Sequence, residues 1–135
     1  DKGNANDIHP ADKKPVGERL ALFARGTTYG ENVVYSGPVF EALRIEGSTA
    51  ILTFDHVGSG LASLDREPLA GFSVADGEGN FVEATAKISG KEVHVSAESV
   101  PEPRAVRYAW ESNPEGLNFV NEEGLPASPF RTDSW

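Results

Sequence analysis

The pattern of apolar and polar positions changes about 30 residues into the chain. Before that point, Val16, Leu20, Phe23 and Ala24 recur at helical spacing, so one side of the segment is apolar. The pattern predicts one amphipathic helix over residues 12–25. Its apolar face needs a partner surface to cover it.

Residues at both ends of this segment are typical of helix boundaries. Asp12 is placed to serve as the N-cap, and Pro15 falls in the first turn, where its missing N–H costs least. Arg25 near the end and Gly26 after it are stop signals.

From residue 32 onward, short alternating runs are separated by turn residues, which is typical of antiparallel strands. Two hairpins are predicted, 39–45 with 50–54 around Glu46-Gly47-Ser48, and 69–74 with 81–88 around residues 76–80. Further strands are predicted at 92–96 and 104–110. Six or seven strands at this spacing indicate a mainly β fold, an antiparallel β-sandwich of jelly-roll or immunoglobulin-like type.

Two stretches lack a clear period. Residues 55–68 are predicted to form a long loop, and residues 118–135 a tail lying over another surface, anchored by Phe130 and Trp135. On an alternating strand Tyr108 and Trp110 share a face, which favours core packing over stacking on a sugar.

Charge excludes several classes of partner. The chain has 12 Lys plus Arg and 21 Asp plus Glu, for a net charge of −9. Nucleic acids and anionic membranes are bound mainly through Lys and Arg, so neither is expected as a partner. No apolar run approaches the roughly 20 residues of a membrane-spanning helix.

The 135 residues contain no Cys and no Met, so a disulfide framework and a thiol nucleophile are excluded. The missing Met and the absence of a signal sequence fit a processed protein or a piece of a longer one.

No metal site and no cofactor is predicted. Asp76, Glu78 and Asn80 offer oxygens at alternate positions, but Lys87 stands where a calcium loop needs a bidentate Glu. His94 is expected on a strand surface. His56 lies in a glycine-rich loop at residues 55–60, for which a structural role is favoured over a place at the border of a functional site. No third ligand accompanies these two histidines.

His9 is the catalytic candidate. It lies in Asn6-Asp7-Ile8-His9-Pro10, just before the predicted helix. Histidine moves protons near neutral pH, and a nearby carboxylate fixes its tautomer and stabilises its protonated form. The alternative is a loop histidine beside an incidental Asp7.

The residues around His9 resemble the last block of the sialate O-acetylesterases, which are carbohydrate esterases of the SGNH (GDSL-like) hydrolase superfamily. The resemblance continues in order along nearly the whole chain. Its most specific strings are Arg107-Tyr108-Ala109-Trp110 and Gly124-Leu125-Pro126-Ala127-Ser128-Pro129-Phe130.

This resemblance implies an α/β hydrolase domain followed by a β-sandwich. Residues 1–30 would be the last loop and helix of the hydrolase domain, and residues 31–135 the sandwich. The implied activity is hydrolysis of acetyl esters on sugars, in the periplasm or outside the cell. His9 would be the general base for a serine outside this chain, so the chain alone should be inert. Its implied partners are an acetylated carbohydrate and the remainder of the hydrolase domain.

One position departs from the SGNH pattern. The triad Asp generally stands three residues before the His, and here that residue is Asn6. Either Asp7 orients His9, or a Ser–His dyad uses a backbone carbonyl on the other ring nitrogen.

Two other functional readings stay open. One hypothesis is that the chain is a non-catalytic β-sandwich that binds carbohydrate or a protein. The other is that it is one subunit of a cut enzyme, paired with the serine-bearing piece. Sialic acid is only one possible sugar, since related enzymes deacetylate xylan and other glycans.

Overall fold

The computed structural model describes residues 1–65 and 68–134 and is mainly β, with antiparallel sheets and one helix. The elements are α1 (Lys14–Thr27), β1 (Val39–Glu46), β2 (Thr49–Asp55), β3 (Leu61–Ser63), β4 (Phe72–Ala75), β5 (Val82–Glu83), β6 (Thr85–Ser89), β7 (Glu92–Ser96), β8 (Ala105–Tyr108), β9 (Phe119–Asn121) and β10 (Phe130–Arg131). We call the part of the chain from Val39 onward the β region. Among the described residues no helix is long and apolar enough to cross a membrane.

The strands form two four-stranded sheets and one two-stranded sheet, with orders β1-β2-β7-β6, β10-β8-β4-β5 and β3-β9. In β7, Val93 and Val95 are fully buried while His94 between them is partly exposed. This alternation turns one face of each sheet inward, and side chains from both large sheets share one apolar core.

Six aromatic rings form the centre of this core. They come from six different strands. Neighbouring rings are stacked, as for Phe40 with Phe130 at 4.8 Å between centroids, edge-on, as for Phe54 with Phe119 at 5.1 Å, or tilted. Phe72 lies 4.7 Å from Tyr108, whose pKa burial raises to about 12. The cluster therefore joins all three sheets.

The first predicted hairpin is confirmed, and the second is only partly so. β1 pairs with β2 around Gly47, which has a φ of 57°. The predicted strand 81–88 is split, because β5 pairs with β4 while β6 joins the other sheet beside β7. Ala84, between them, still donates its N–H to the Phe72 carbonyl at 3.0 Å. The segment 81–88 therefore passes from one four-stranded sheet to the other.

The prediction that 55–68 and 118–135 contain no regular elements was wrong. β3 in the first stretch pairs with β9 in the second, and β10 pairs with β8. These strands are too short to show a period in the sequence. Beside them, the buried side-chain amide of Asn121 hydrogen-bonds to backbone groups, donating to the Ser36 carbonyl and accepting from the Leu125 N–H. Phe130 is buried as predicted, and Trp135 lies outside the described residues.

The prediction that Trp110 shares the buried face of Tyr108 was also wrong. Tyr108 is 1% exposed and Trp110 is 50% exposed. Ala109 between them has a φ of 52°, which ends β8 and reverses the side-chain alternation. The Arg131 guanidinium lies over the indole, 5.5 Å from its centroid.

The helix is confirmed, with shifted ends. It begins at Lys14 with Lys13 as N-cap and without a side-chain capping bond, so Asp12 is not the cap. It continues through the predicted stop at Gly26 to Thr27. The Lys13 ammonium instead donates to the Pro10 carbonyl at 2.6 Å, holding the preceding loop against the helix start.

An ion pair fixes the end of the described chain. The Arg107 guanidinium donates to both carboxylate oxygens of Asp133 at 2.8 and 2.9 Å, and the Asp133 side chain is fully buried. Hydrogen bonds from Arg107 hold the pKa of Asp133 below its ordinary value.

We expect Phe119→Ala to destabilise the chain by about 3–5 kcal/mol, because it removes a buried ring from the centre of the core. Trp110→Ala should cost about 1 kcal/mol or less, because the indole is half exposed and contacts one surface cation. Urea unfolding measures both, and equal losses would contradict this account of the core.

We expect Asp133→Asn to lower the free energy of unfolding at pH 7. The difference in this free energy between the variant and the wild type should become smaller in acid. Because the folded-state pKa is lowered, the ion pair stabilises fully above the ordinary carboxyl pKa of about 3.9, and this stabilisation is lost as pH falls toward the folded value. Unfolding at pH 7 and pH 3 tests it, with the exposed Glu98→Gln as control. A gap of equal size at both pH values would refute it.

Candidate functional site

Asp7 and His9 lie close together in a tight turn. The Asp7 Oδ1 atom accepts a hydrogen bond from the His9 backbone N–H at 2.8 Å and lies 3.6 Å from His9 Nδ1. The second distance is longer than a hydrogen bond but within the range of an ion pair once the ring is protonated. The His9 side chain is 79% exposed, which leaves Nε2, on the other side of the ring, available for proton transfer.

Hydrogen bonds and an ion pair hold the segment before the helix. The Asn4 side chain accepts from the Asn6 backbone N–H at 2.9 Å. The Arg19 guanidinium, one turn into the helix, donates to both oxygens of Asp1 at 2.8 and 2.7 Å. The segment is therefore folded back along the helix, and no hydrogen bond joins the Asn6 and His9 side chains among the described residues.

The helix packs against the segment that leads into β1. The Phe23 ring meets the Tyr35 ring edge-on at 5.7 Å, and a Cβ on Gly26 would overlap the Tyr35 ring. The glycine that the sequence suggested as a stop signal is thus needed for close approach. No residue of the helix is buried, and Leu20 remains 67% exposed on its apolar face.

The glycine-rich loop 55–60 packs against the same tyrosine. His56 has a φ of 57°, and its ring lies 5.3 Å from that of Tyr35. The Glu123 carboxylate accepts from the Ser59 hydroxyl at 2.6 Å and from its N–H at 3.0 Å. The hydroxyl bond lowers the pKa of Glu123. The charged carboxylate and the tight backbone give this loop a structural role, as the sequence analysis favoured.

No metal site forms where the histidines lie. His94 projects from β7 beside Glu92, with 3.3 Å between Nε2 and the nearer carboxylate oxygen. The part of the chain that the structure describes holds no group of three His, Cys, Asp or Glu side chains fit to bind a metal.

A cleft of about 640 Å³ separates the N-terminal segment from the loop 112–117. One wall includes Asn6 and Pro10, on either side of the His9 turn, and the other includes Asn113 and Glu115. Sequence reasoning missed this cleft. The Asn-Pro-Glu-Gly run at residues 113–116 signals a turn, but nothing in it shows which segment lies opposite.

No protein-family model matches the chain. No curated protein matches it either. A crystal structure of a carbohydrate acetylesterase from Xanthomonas citri matches with 47% sequence identity and a TM-score of 0.96.

The chain is similar along its whole length to part of a carbohydrate acetylesterase. The match covers 100% of this chain and 31% of the Xanthomonas citri enzyme. The sequence resemblance is therefore confirmed at the level of carbohydrate acetylesterases. The helix, the His9 turn and the β region all fall within the matched part.

Two glycines in the helix give a matched test of how the helix is attached. Gly17→Ala should stabilise the chain by up to about 1 kcal/mol, because alanine favours helix and nothing lies within 4 Å of its Cβ. Gly26→Ala should instead displace the Tyr35 ring and destabilise the chain by about 1–3 kcal/mol. Thermal unfolding and the ring NMR contacts of Tyr35 with Phe23 report the difference. An equal gain in both variants would show that the close approach at Gly26 is unimportant.

Proposed function

We propose that this chain is the histidine-bearing part of a carbohydrate O-acetylesterase of the sialate O-acetylesterase type. The observation that carries the proposal is the whole-length match, at 47% identity, to 31% of a carbohydrate acetylesterase. The exposed His9 beside Asp7 supplies the chemistry, since an ester hydrolase of this kind needs a base that activates a serine hydroxyl.

In the proposed reaction, His9 Nε2 takes the serine proton as the serine oxygen attacks the acetyl carbonyl carbon. The tetrahedral intermediate then expels the sugar oxygen, which takes that proton from His9, and an acetyl-serine remains. Water attacks this ester while His9 again accepts a proton. Collapse of the second intermediate releases acetate and returns the proton to the serine.

Asp7 is the candidate orienting acid. Its Oδ1 lies 3.6 Å from Nδ1, near enough to stabilise the imidazolium once it forms. That oxygen already accepts from the backbone N–H, which fixes the carboxylate relative to the ring. The dyad alternative, with a backbone carbonyl on Nδ1, would make Asp7 dispensable.

The proposal assigns residues 1–30 to the end of an SGNH hydrolase domain and residues 31–135 to a β-sandwich. Two antiparallel sheets with a common core support the second assignment. Val16, Leu20 and Phe23, exposed by 46%, 67% and 54%, support the first, because the remainder of the hydrolase domain would cover them. We place the serine in that remainder and the whole enzyme in the periplasm or outside the cell.

The direct test compares two histidines in similar settings. His9 and His94 are each two residues from a carboxylate that lies within 4 Å of the ring. In a protein that joins residues 1–135 to a serine-bearing hydrolase part, His9→Ala should lower kcat on 4-nitrophenyl acetate about 10³-fold or more. His94→Ala should leave kcat within twofold, roughly the scatter of a surface change.

Residues 1–135 alone should show no hydrolysis above the buffer rate. Full activity of the His9→Ala protein would refute the proposal, as would esterase activity of the chain alone. Asp7→Asn in the joined protein separates the two mechanisms, since a large loss of kcat indicates a triad and an unchanged kcat indicates a dyad.

A further inference from the structure

The cleft beside the His9 turn has the dimensions of a ligand site. Its volume of about 640 Å³ lies within the range of roughly 300–1,000 Å³ typical of small-molecule sites. Asn6 and Pro10 line it while His9 between them does not. The space therefore adjoins the turn that carries the proposed base.

The two walls approach each other closely at Gly3. A Cβ built on Gly3 would lie 3.9 Å from the Oδ1 atom of Asn113, across the cleft. Glycine at this position leaves the space between the walls open, and a large side chain there would fill it.

The lining combines amide groups with apolar surface. Asn113 donates its Nδ2 to Glu115 at 3.3 Å, which orients the amide and leaves its oxygen as an acceptor toward Gly3. Pro10, Pro114 and Leu117 supply apolar surface on both sides. Hydroxyl groups at the edge of a sugar ring match such amides, and the C–H groups on its faces match such apolar side chains.

The charge of the lining favours a neutral ligand. Its ionisable side chains are Asp1, Asp12, Glu115 and Lys2. Lys2 lies 3.5 Å from Asp12, which leaves the Glu115 carboxylate with a neutral amide as its partner. With a net charge of −9 on the whole chain, an anionic sugar in the cleft would be repelled.

We propose that this cleft binds a neutral sugar unit of the glycan whose acetyl ester reacts at His9. The inference rests on the proposed function and adds a subsite in which the loop 112–117 of the β region contacts substrate. One sugar unit would lie at His9 and its neighbour between Gly3 and Asn113.

The test is a titration of the 135-residue chain followed by NMR. The probes are O-acetylated tetrasaccharides of glucose, xylose and mannose, and an O-acetylated sialic-acid oligosaccharide of equal length. At least one neutral probe should bind and shift the signals of Asn113 and Gly3. The anionic probe should bind at least fivefold more weakly than that neutral probe. Glu115→Gln should reduce this difference in affinity between the two probes.

Matched variants locate the binding. Gly3→Phe should abolish it by filling the cleft, while Gly77→Phe, on the turn before β5 with open space around its Cβ, should leave it unchanged. Asn113→Ala should weaken binding about 5- to 10-fold, the loss expected for one hydrogen bond, and the exposed Asn80→Ala should not.

Absence of binding by every neutral probe would overturn the proposal. Unchanged binding to Gly3→Phe, or equal binding of the anionic probe, would overturn it as well. His9→Ala should bind as the wild type does, so this readout is independent of catalysis. A failed titration with His9-dependent esterase activity would remove the subsite alone, whereas esterase activity independent of His9 would remove the proposed function.

Discussion

The aromatic cluster is the interaction on which the rest of the structure depends. Rings from six strands meet in it, so the two large sheets and the small β3–β9 sheet are held by one set of contacts. Each buried ring removes a large apolar area from water, so the six rings together contribute a large share of the hydrophobic stabilisation of this core. Asn121 and the pair Arg107–Asp133 then fix the loops and the tail around it.

The candidate site is much more exposed than this core, since the His9 side chain is largely exposed and no residue of the helix is buried. The helix that follows His9 is joined to the β region by Tyr35, whose ring contacts Phe23 on one side and His56 on the other. Val16 and Leu20 on its apolar face remain exposed. In the proposed enzyme the apolar face of the helix would pack on the remainder of the hydrolase domain. The His9 turn would then be held between that domain and the β region. The β region would then contribute both a support for the histidine turn and a wall of the substrate cleft.

Local patterns were predictable from the sequence, and long-range ones were not. The β1–β2 hairpin follows from alternation around Gly47, and the closeness of Asp7 to His9 follows from a two-residue turn. The pairing of β3 with β9 joins residues about 60 positions apart and leaves no periodic signal. One reversed φ at Ala109 moved Trp110 out of the core. The cleft could not be predicted from the sequence, because its two walls come from residues 1–12 and 112–117, and no local pattern shows that these segments face each other.

In the proposed mechanism, His9 activates a serine outside residues 1–135. Covalent labelling with a fluorophosphonate tests it most directly, because this reagent reacts with serines that a neighbouring base activates. In the joined protein we predict one labelled serine, located by mass spectrometry in the hydrolase part, and loss of labelling in His9→Ala but not in His94→Ala. A labelled serine within residues 1–135, or labelling at an unchanged rate without His9, would contradict the account.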